Sequence, residues 1–160
     1  MAETLHLVEQ IARAIHARLK QIEQIAGEPI AGVLRPTRLG GYSPQHMLIV
    51  LEQDDEAINA ELSVAGNPPA TAKDQPFRIT VLVRPSDRSD APIDTLLNAA
   101  RYELEKALNE DVQWGGLAIN TAVGVSSKVI TVDRAMEGVE FTPVVTYRAS
   151  DADPSVVRGA

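Results

Sequence analysis

The fold is decided by the stretch Pro76-Phe77-Arg78-Ile79-Thr80-Val81-Leu82-Val83-Arg84-Pro85. Apolar side chains recur on one of its faces at a period of two: Phe77, Ile79, Val81 and Val83. The opposite face also carries an apolar residue, Leu82, and the run is rich in β-branched residues. This pattern predicts a strand in the interior of a sheet. We expect Pro85, which has no N–H, to end its hydrogen-bond ladder.

Two amphipathic helix patterns flank this strand in the sequence. The first begins at Thr4, a predicted N-cap, and its apolar residues recur at steps of three and four up to Ala26. Gly27 and Pro29 are expected to end it; a short coiled-coil arm is the alternative for this pattern. The second has Pro92 in its first turn and ends at 109–111. Each apolar face requires a sheet to cover it.

Further strands are predicted before and after these helices. The segments are 30–35, 47–53 and 117–125, followed by a C-terminal β-hairpin of 128–134 and 139–148 with its turn at Met136-Glu137-Gly138. Residues 56–64 fit a strand or a short helix, and 65–75 are predicted to form a loop. The predicted fold class is α/β (α+β): a mixed, mainly antiparallel sheet with the two long helices packed on one face.

Composition limits the number of domains and the class of function. The 160 residues, 44% hydrophobic and 23% charged, suit one core, so we predict one domain over 1–150 and a polar C-terminal tail over 151–160. A net charge of −7 and 4% aromatic residues argue against a nucleic-acid groove. The absence of cysteine excludes disulfides and thiolate chemistry. The sequence predicts neither a signal peptide nor a membrane span.

Motifs for catalysis or metal binding are missing from the sequence. It has no Gly-x-Ser-x-Gly, His-Glu-x-x-His, Walker or dinucleotide-binding motif, so we expect a protein that is not an enzyme and takes no cofactor. His6 and His16 have no acidic partner at ligand spacing, and the consecutive acids 54–56 alternate between strand faces, so we expect no metal site. The single tryptophan, Trp114, is predicted to anchor the core.

Several short motifs together resemble a known family. They are Gly66-Asn67-Pro68-Pro69, Gln75-Pro76-Phe77, Pro92-Ile93-Asp94-Thr95-Leu96-Leu97, Trp114-Gly115-Gly116-Leu117, and the closing Val145-Thr146-Tyr147-Arg148 with Asp153-Pro154. With the long N-terminal helix, this order resembles the tail terminator (tail completion) proteins of long-tailed bacteriophages, over nearly the whole chain.

The resemblance implies a non-enzymatic structural protein of the virion tail, assembled in the host cytoplasm. Its subunits would form a homo-oligomeric ring, a hexamer, that caps the tail tube, stops tube polymerisation and offers its other face to the head completion or neck protein. Contact with nucleic acid would be limited to lining a DNA channel, and no membrane would be involved. The alternatives are a neck or head-to-tail joining protein of the same particle and a small-ligand binding domain or hydrolase.

Ring or tube contacts are expected in the loops 37–46 and 65–75, at the closing strand and in the tail. The candidate interface residues are Arg38, Leu39, Tyr42, Asn67, Pro68, Tyr147, Arg148, Asp151 and Asp153. We expect the tail to serve assembly and to add little to folding, because Val156 and Val157 are its apolar anchors.

Overall fold

The computed structural model describes residues 4–36, 47–83, 92–130 (without the side chain of residue 130) and 137–158. The elements are α1 (Leu7–Leu19), β1 (Gln24–Ile25), β2 (Glu28–Pro29), β3 (Gly32–Leu34), β4 (Leu48–Gln53), β5 (Ala57–Val64), β6 (Ala70–Val83), α2 (Ile93–Asn109), β7 (Asn120–Ala122), β8 (Ser127–Ile130), β9 (Glu137–Phe141) and β10 (Val144–Ser150). The fold is mixed α+β, with two helices and a mostly antiparallel open sheet; the pairing of β3 with β4 is parallel. Neither described helix is long and apolar enough to cross a bilayer.

The sheet is built around β6, which has a neighbour on each side along its length. Its first half lies between β5 and β10, and its second half lies between β4 and β9. The predicted interior strand is therefore confirmed. It begins at Ala70 instead of Pro76, so the predicted loop 65–75 is wrong in its second half. Residues 70–75 show weak hydrophobic patterning and are extended because β5 and β10 pair with them.

Both neighbours of β6 are interrupted at the level of Pro76. On one side of β6, β4 ends and β5 begins across residues 54–56, and the register against β6 shifts there by one residue. On the other side, β9 ends and β10 begins across residues 142–143. The Asp54 N–H donates to the Pro76 carbonyl (3.1 Å), and the Phe77 N–H donates to the Pro143 carbonyl (2.9 Å). Proline is tolerated inside β6 because the strand beside it is already broken there.

Alternate residues of β6 enter two hydrophobic clusters. Phe77, Ile79, Val81 and Val83 belong to the main core, together with the buried stripes of α1 and α2. The opposite face holds a smaller cluster of Leu48, Val50 and Leu82. This separation follows from the period of two that identified the strand in the sequence.

The first helix is shorter than predicted. It ends at Leu19, and its N-cap is His6, whose Nδ1 accepts a hydrogen bond from the Val8 N–H (3.2 Å). Residues 24–29 form a hairpin whose two turn residues, Ala26 and Gly27, have φ of 50° and 81°. Two positive φ angles are what a tight hairpin turn requires, so Gly27 is a turn residue instead of a helix stop.

The predicted hairpin turn at 136–138 is wrong in its placement. Glu137 and Gly138 lie in β9 and pair with β8, and the connection 131–136 lies outside the described residues. A Cβ on Gly138 would meet the Val81 carbonyl oxygen at 2.5 Å. The close approach of β9 to β6, and not a turn, is the reason that glycine is needed at this position.

The region around α2 follows the sequence prediction more closely. The helix spans Ile93–Asn109 with Pro92 at its N-cap, while the predicted capping residues 86–90 and Pro85 lie outside the described residues. Trp114 is 3% exposed and its Nε1 donates to Thr121 Oγ1 at 2.8 Å, which confirms it as a core anchor. The Asp111 carboxylate accepts from the backbone N–H groups of residues 113 and 115, holding 112–117 in turns. The predicted strand 117–125 is therefore reduced to β7.

Candidate interaction surface

Exposed apolar side chains in the described structure concentrate on β5 and in the C-terminal segment. The large hydrophobic residues with high exposure are Leu34, Ile58, Leu62, Val64, Tyr102, Val125, Val156 and Val157. Five of these eight lie on β5 or in the C-terminal segment. We call Ile58, Leu62, Val64, Val156 and Val157 the β5–tail surface. Contiguous exposed apolar side chains on a soluble domain commonly mark a surface that meets a partner.

The two parts of this surface meet at a shallow cleft of about 450 Å³. It is lined by Val64, Ala65, Gly66, Pro68, Ala70, Val157 and Arg158. Arg158 holds the cleft together, since its backbone N–H donates to the Arg148 carbonyl (3.0 Å) and its guanidinium donates to the Pro68 carbonyl (3.3 Å). The loop that follows β5 is thus fixed to the segment that follows β10.

The position of β5 depends on its polar side chains. Its register against β6 shifts between Asn59 and Val64. Across this bulge the Ser63 hydroxyl donates to the Asn59 carbonyl (2.8 Å) and accepts from the Ala72 N–H (3.0 Å), replacing a backbone acceptor. The Asn59 amide also donates to the Asp74 carboxylate (3.1 Å). These bonds hold β5 against β6 while its outer side remains open to solvent.

The C-terminal segment is hydrogen-bonded to the domain. Val157 forms a bridge with Ala149, and the Pro154 carbonyl accepts from the Leu7 N–H (2.9 Å) at the start of α1. The Ser155 carbonyl accepts from the Gln10 amide (2.9 Å). The composition of the segment did not predict these contacts. Its side chains remain mostly exposed.

Four predicted interface residues lie at this end of the molecule. Asn67 is exposed and Pro68 half-buried, and Pro68 lines the cleft. The Asp151 carboxylate accepts from the Thr71 N–H (3.0 Å) and hydroxyl (3.1 Å). Hydrogen bonds from the Ser155 hydroxyl and backbone lower the pKa of the exposed Asp153. The loop candidates Arg38, Leu39 and Tyr42 lie outside the described residues.

Tyr147 and Arg148, also predicted at the interface, are buried behind the surface. Tyr147 is 0% exposed and its hydroxyl donates to Glu56 (2.7 Å), which also accepts from the Lys73 ammonium (2.7 Å). Burial and the adjacent carboxylate raise the pKa of Tyr147. Burial raises the pKa of Glu56, but the hydrogen bonds from Lys73 and Tyr147 outweigh it, so the net shift is downward.

Arg148 is hydrogen-bonded to the exposed strand β5. Its side chain is largely buried, and its Nε donates to the Leu62 carbonyl at 2.8 Å. This bond fixes the bulged part of β5. In the described structure the hydrogen bonds of Tyr147 and Arg148 therefore hold β5 and the residue before it in place. Their contact with a partner stays a prediction.

The exposed residues of β5 were missed by the sequence analysis. Residues 56–64 fit a strand or a short helix in the prediction, although the apolar residues 58, 60, 62 and 64 alternate with the polar residues 59, 61 and 63 at a period of two. This alternation, directly after three acids, was the available signal for a strand. An edge strand with one solvated side and a bulge has this composition.

A second cleft, of about 430 Å³, lies between the start of α1 and the break at 54–56. Its lining is His6, Val8, Glu9, Gln53, Asp54, Asp55, Glu56 and Gln75. Arg35 makes two hydrogen bonds of 2.9 Å to Glu9, and Arg13 a third of 3.0 Å. Arg35 is the main reason that the pKa of Glu9 falls to about 2; burial opposes the shift and Arg13 adds to it. Within the described ranges, the structure groups no three His, Asp or Glu residues as metal ligands.

Comparisons with known proteins give weak similarities. No protein-family model and no curated protein matches the sequence. Among solved structures, the chain is similar to a chain of the virion of a native gene transfer agent particle, with 10% identity over 89% of this chain and 92% of that one and a TM-score of 0.35. It is also similar to the sheath/tube terminator of PVC, an extracellular contractile injection system, in its extended state, with 10% identity, 96% of this chain covered and a TM-score of 0.46. This chain spans 61% of the length of that terminator. Both superpositions are loose, and they establish neither a family nor a function.

Proposed function

We propose that this chain is a structural, non-enzymatic subunit of a phage-type tail, which assembles with copies of itself into a ring that ends the tail tube. The β5–tail surface is the observation that carries the proposal. A subunit that functions alone gains nothing from exposed apolar side chains along a strand edge, whereas an assembling subunit buries them. The motif order that resembles tail terminators supports the same role.

The architecture suits such a subunit. In this proposal α1 and α2 cover one face of the sheet, β8 to β10 form the C-terminal hairpin region, and β5 with residues 151–158 projects at the periphery. The main cluster, which contains buried residues of both helices and of β6, supports this arrangement. Packing within the subunit then leaves the β5–tail surface free for association.

The proposed partners follow from the resemblance. The ring is a hexamer, one of its faces meets the tail tube protein, and the other meets the head completion or neck protein. The chain would thus be found at the neck end of the virion tail after assembly in the host cytoplasm. A neck protein would form a ring as well, so binding to the end of the tube is the property that separates the two roles.

Electron microscopy with a matched pair of variants tests this function. The purified chain should form rings, and when it is mixed with the tube protein of its own particle the rings should sit at tube ends and stop elongation. The double variant Ile58→Asp, Leu62→Asp should lose the rings while melting like the parent, because both side chains are exposed. Tyr102→Asp, at an exposed site on α2, is the control and should form normal rings.

Two outcomes would contradict the proposal. Rings that form but bind only to head-side proteins would favour the neck role. Failure to find rings either alone or on tubes, with a folded protein, would exclude a ring-forming tail subunit.

A further inference from the structure

One half of the sheet ends in two lateral edges that run in opposite directions. The strand order in this half is β5-β6-β10-β7, and every pairing is antiparallel. In the part of the chain that the structure describes, β5 and β7 each pair on one side. Because directions alternate across four antiparallel strands, the first and the last point in opposite directions.

Each of these two edges carries an exposed apolar side chain. Ile58 on β5 is 72% exposed, and Val125, three residues beyond β7, is 85% exposed. They are the two most exposed large hydrophobic residues in the described ranges. They lie at opposite sides of the same half-sheet, so one subunit cannot bring them together. Two subunits placed side by side in the same orientation can.

We propose that residues 120–126 of one copy pair with the outer edge of β5 in the next copy, so that the sheet continues from subunit to subunit. The inference rests on the proposed ring and names its interface. Copies in the same orientation place β7 beside the neighbour's β5 in antiparallel directions, which is the arrangement a ladder needs. The contact uses two different surfaces, and such head-to-tail contacts form a ring when the rotation from one copy to the next closes.

Charge and strand irregularity favour this pairing over β5 against β5. In the antiparallel register that sets Ile58 opposite Val125, Lys128 of one copy falls opposite the exposed Asp55 of the next, and Glu61 falls opposite the uncharged Ala122. Lys128 contacts Asp94 at 3.0 Å, but their side chains are 73% and 71% exposed, and an exposed pair of this kind exchanges at little cost. Pairing β5 with its own copy would place Glu61 near a like charge and give closed dimers.

The bulge in β5 sets the extent of the contact. The regular pairing to β6 covers Ala57 to Asn59 and is interrupted before Val64. A bulged edge resists indiscriminate strand addition. We therefore place the new ladder on residues 57–60, with Ile58 meeting the apolar residues of the segment that contains Val125.

Cysteine cross-linking of the full chain tests this interface, because the natural sequence has no cysteine. Val125→Cys is combined in one chain first with Ile58→Cys and then with Ala60→Cys, two exposed sites. The chains are oxidised or treated with a short bis-maleimide, since paired strands bring Cα atoms within disulfide range. The native mass of each variant is measured before the reaction.

We expect the paired-cysteine chains to give a ladder of covalent multimers on a denaturing gel, ending at the size of the ring. Each single variant should run as a monomer on the denaturing gel, because its cysteine meets no cysteine in the neighbouring copy. Tyr102→Cys with Val125→Cys is the matched control and should give no ladder.

The possible failures are distinguishable. An oligomer by native mass that yields no ladder from either pair would overturn this interface and leave the proposed ring standing. Strong dimer formation by Ile58→Cys alone would show that β5 pairs with itself, and would also overturn it. A monomer at every concentration would remove the proposed ring and the interface together.

Discussion

The side-chain amide of Gln75 lies 2.6 Å from the carbonyl oxygen of Asp54 and donates a hydrogen bond to it. The same nitrogen donates to the Pro76 carbonyl (2.8 Å), and the Gln75 oxygen accepts from Gln53 (3.3 Å). Gln75 is 0% exposed. Gln75 lies where both neighbours of β6 are interrupted. Its side chain therefore donates to backbone carbonyls that would be bonded to a neighbouring strand in an unbroken ladder.

Replacing Gln75 by leucine should therefore destabilise the protein. The change keeps the approximate size but leaves the part-buried Asp54 carbonyl without its donor, and we expect a loss of about 2–3 kcal/mol in the free energy of unfolding. Urea denaturation measures it. Gln53→Leu, at an exposed position beside it, should cost less than about 1 kcal/mol. Equal effects of the two substitutions would show that Gln75 does not close the break.

Gly138→Ala tests the close approach of β9 to β6. The added methyl group would lie 2.5 Å from the Val81 carbonyl oxygen and 3.1 Å from Leu82 Cδ2, so the strands must separate, at a cost of about 1–3 kcal/mol. Gly32→Ala in β3 is the matched control, because a Cβ there meets nothing within 4 Å. Thermal melting of both variants checks this. A Gly138→Ala protein as stable as the control would contradict the packing described.

The Glu9 carboxylate should make the free energy of unfolding depend on pH in the acid range. Its pKa falls from 4.5 to about 2 in the folded state, mainly through Arg35. A group with a lowered folded pKa stabilises the fold above its unfolded pKa, and this contribution is lost as pH falls through the folded value. Glu9→Gln should thus be less stable than the parent at pH 7, and the difference should shrink between about pH 4.5 and pH 2.

The control for Glu9 is Glu105→Gln, which removes an exposed helix pair with Arg101. Such a pair is worth a few tenths of a kcal/mol, about 0.3–0.5, so this variant should follow the parent closely. Chemical denaturation of the three proteins across the acid range is the measurement. A difference between parent and Glu9→Gln that stays constant with pH would show that Glu9 does not act through its charge.

Truncation after Ser150 tests both roles of the C-terminal segment. Composition alone predicts an unchanged melting temperature. The bonds that residues 154 and 155 accept from Leu7 and Gln10 lead us to expect a loss of about 1–3 kcal/mol, at roughly 1 kcal/mol for each hydrogen bond, together with weaker ring formation. Truncation after Arg158 is the control and should leave both unchanged. Unaltered melting and normal rings would leave the segment without either role.

The sequence predicted the elements whose signals are local. The alternation from Phe77 to Val83 and the Pro92 start of α2 identified the central strand and the second helix. The extension of β6 back to Ala70 could not be predicted, because its pairing comes from β10, eighty residues later at Ser150↔Ala70. Gly27 suits a helix end and a tight turn equally well, and the hairpin partner decided between them.

The candidate surface was predicted in part. Asn67, Pro68, Asp151 and Asp153 were predicted in separate segments of the sequence, and they lie at one end of the molecule. Tyr147 has the character of a contact residue in the sequence, but its hydroxyl partner is Glu56, ninety-one positions away, and no local pattern reveals such a pair. The alternation in β5 predicts a strand, but alternation alone places the apolar side chains toward a core, whereas residues 58, 60, 62 and 64 are exposed in the structure. The division into 1–150 and 151–160 stays a prediction that the truncation addresses.

The mass of the native full-length protein tests the central claim most directly. Native mass spectrometry, or light scattering after size exclusion, should find one closed oligomer, the hexameric ring that the resemblance implies. Ile58→Asp with Leu62→Asp should reduce it to a folded monomer. A parent protein that stays monomeric at every concentration, or whose oligomer is unaffected by charges on the β5–tail surface, would contradict the account.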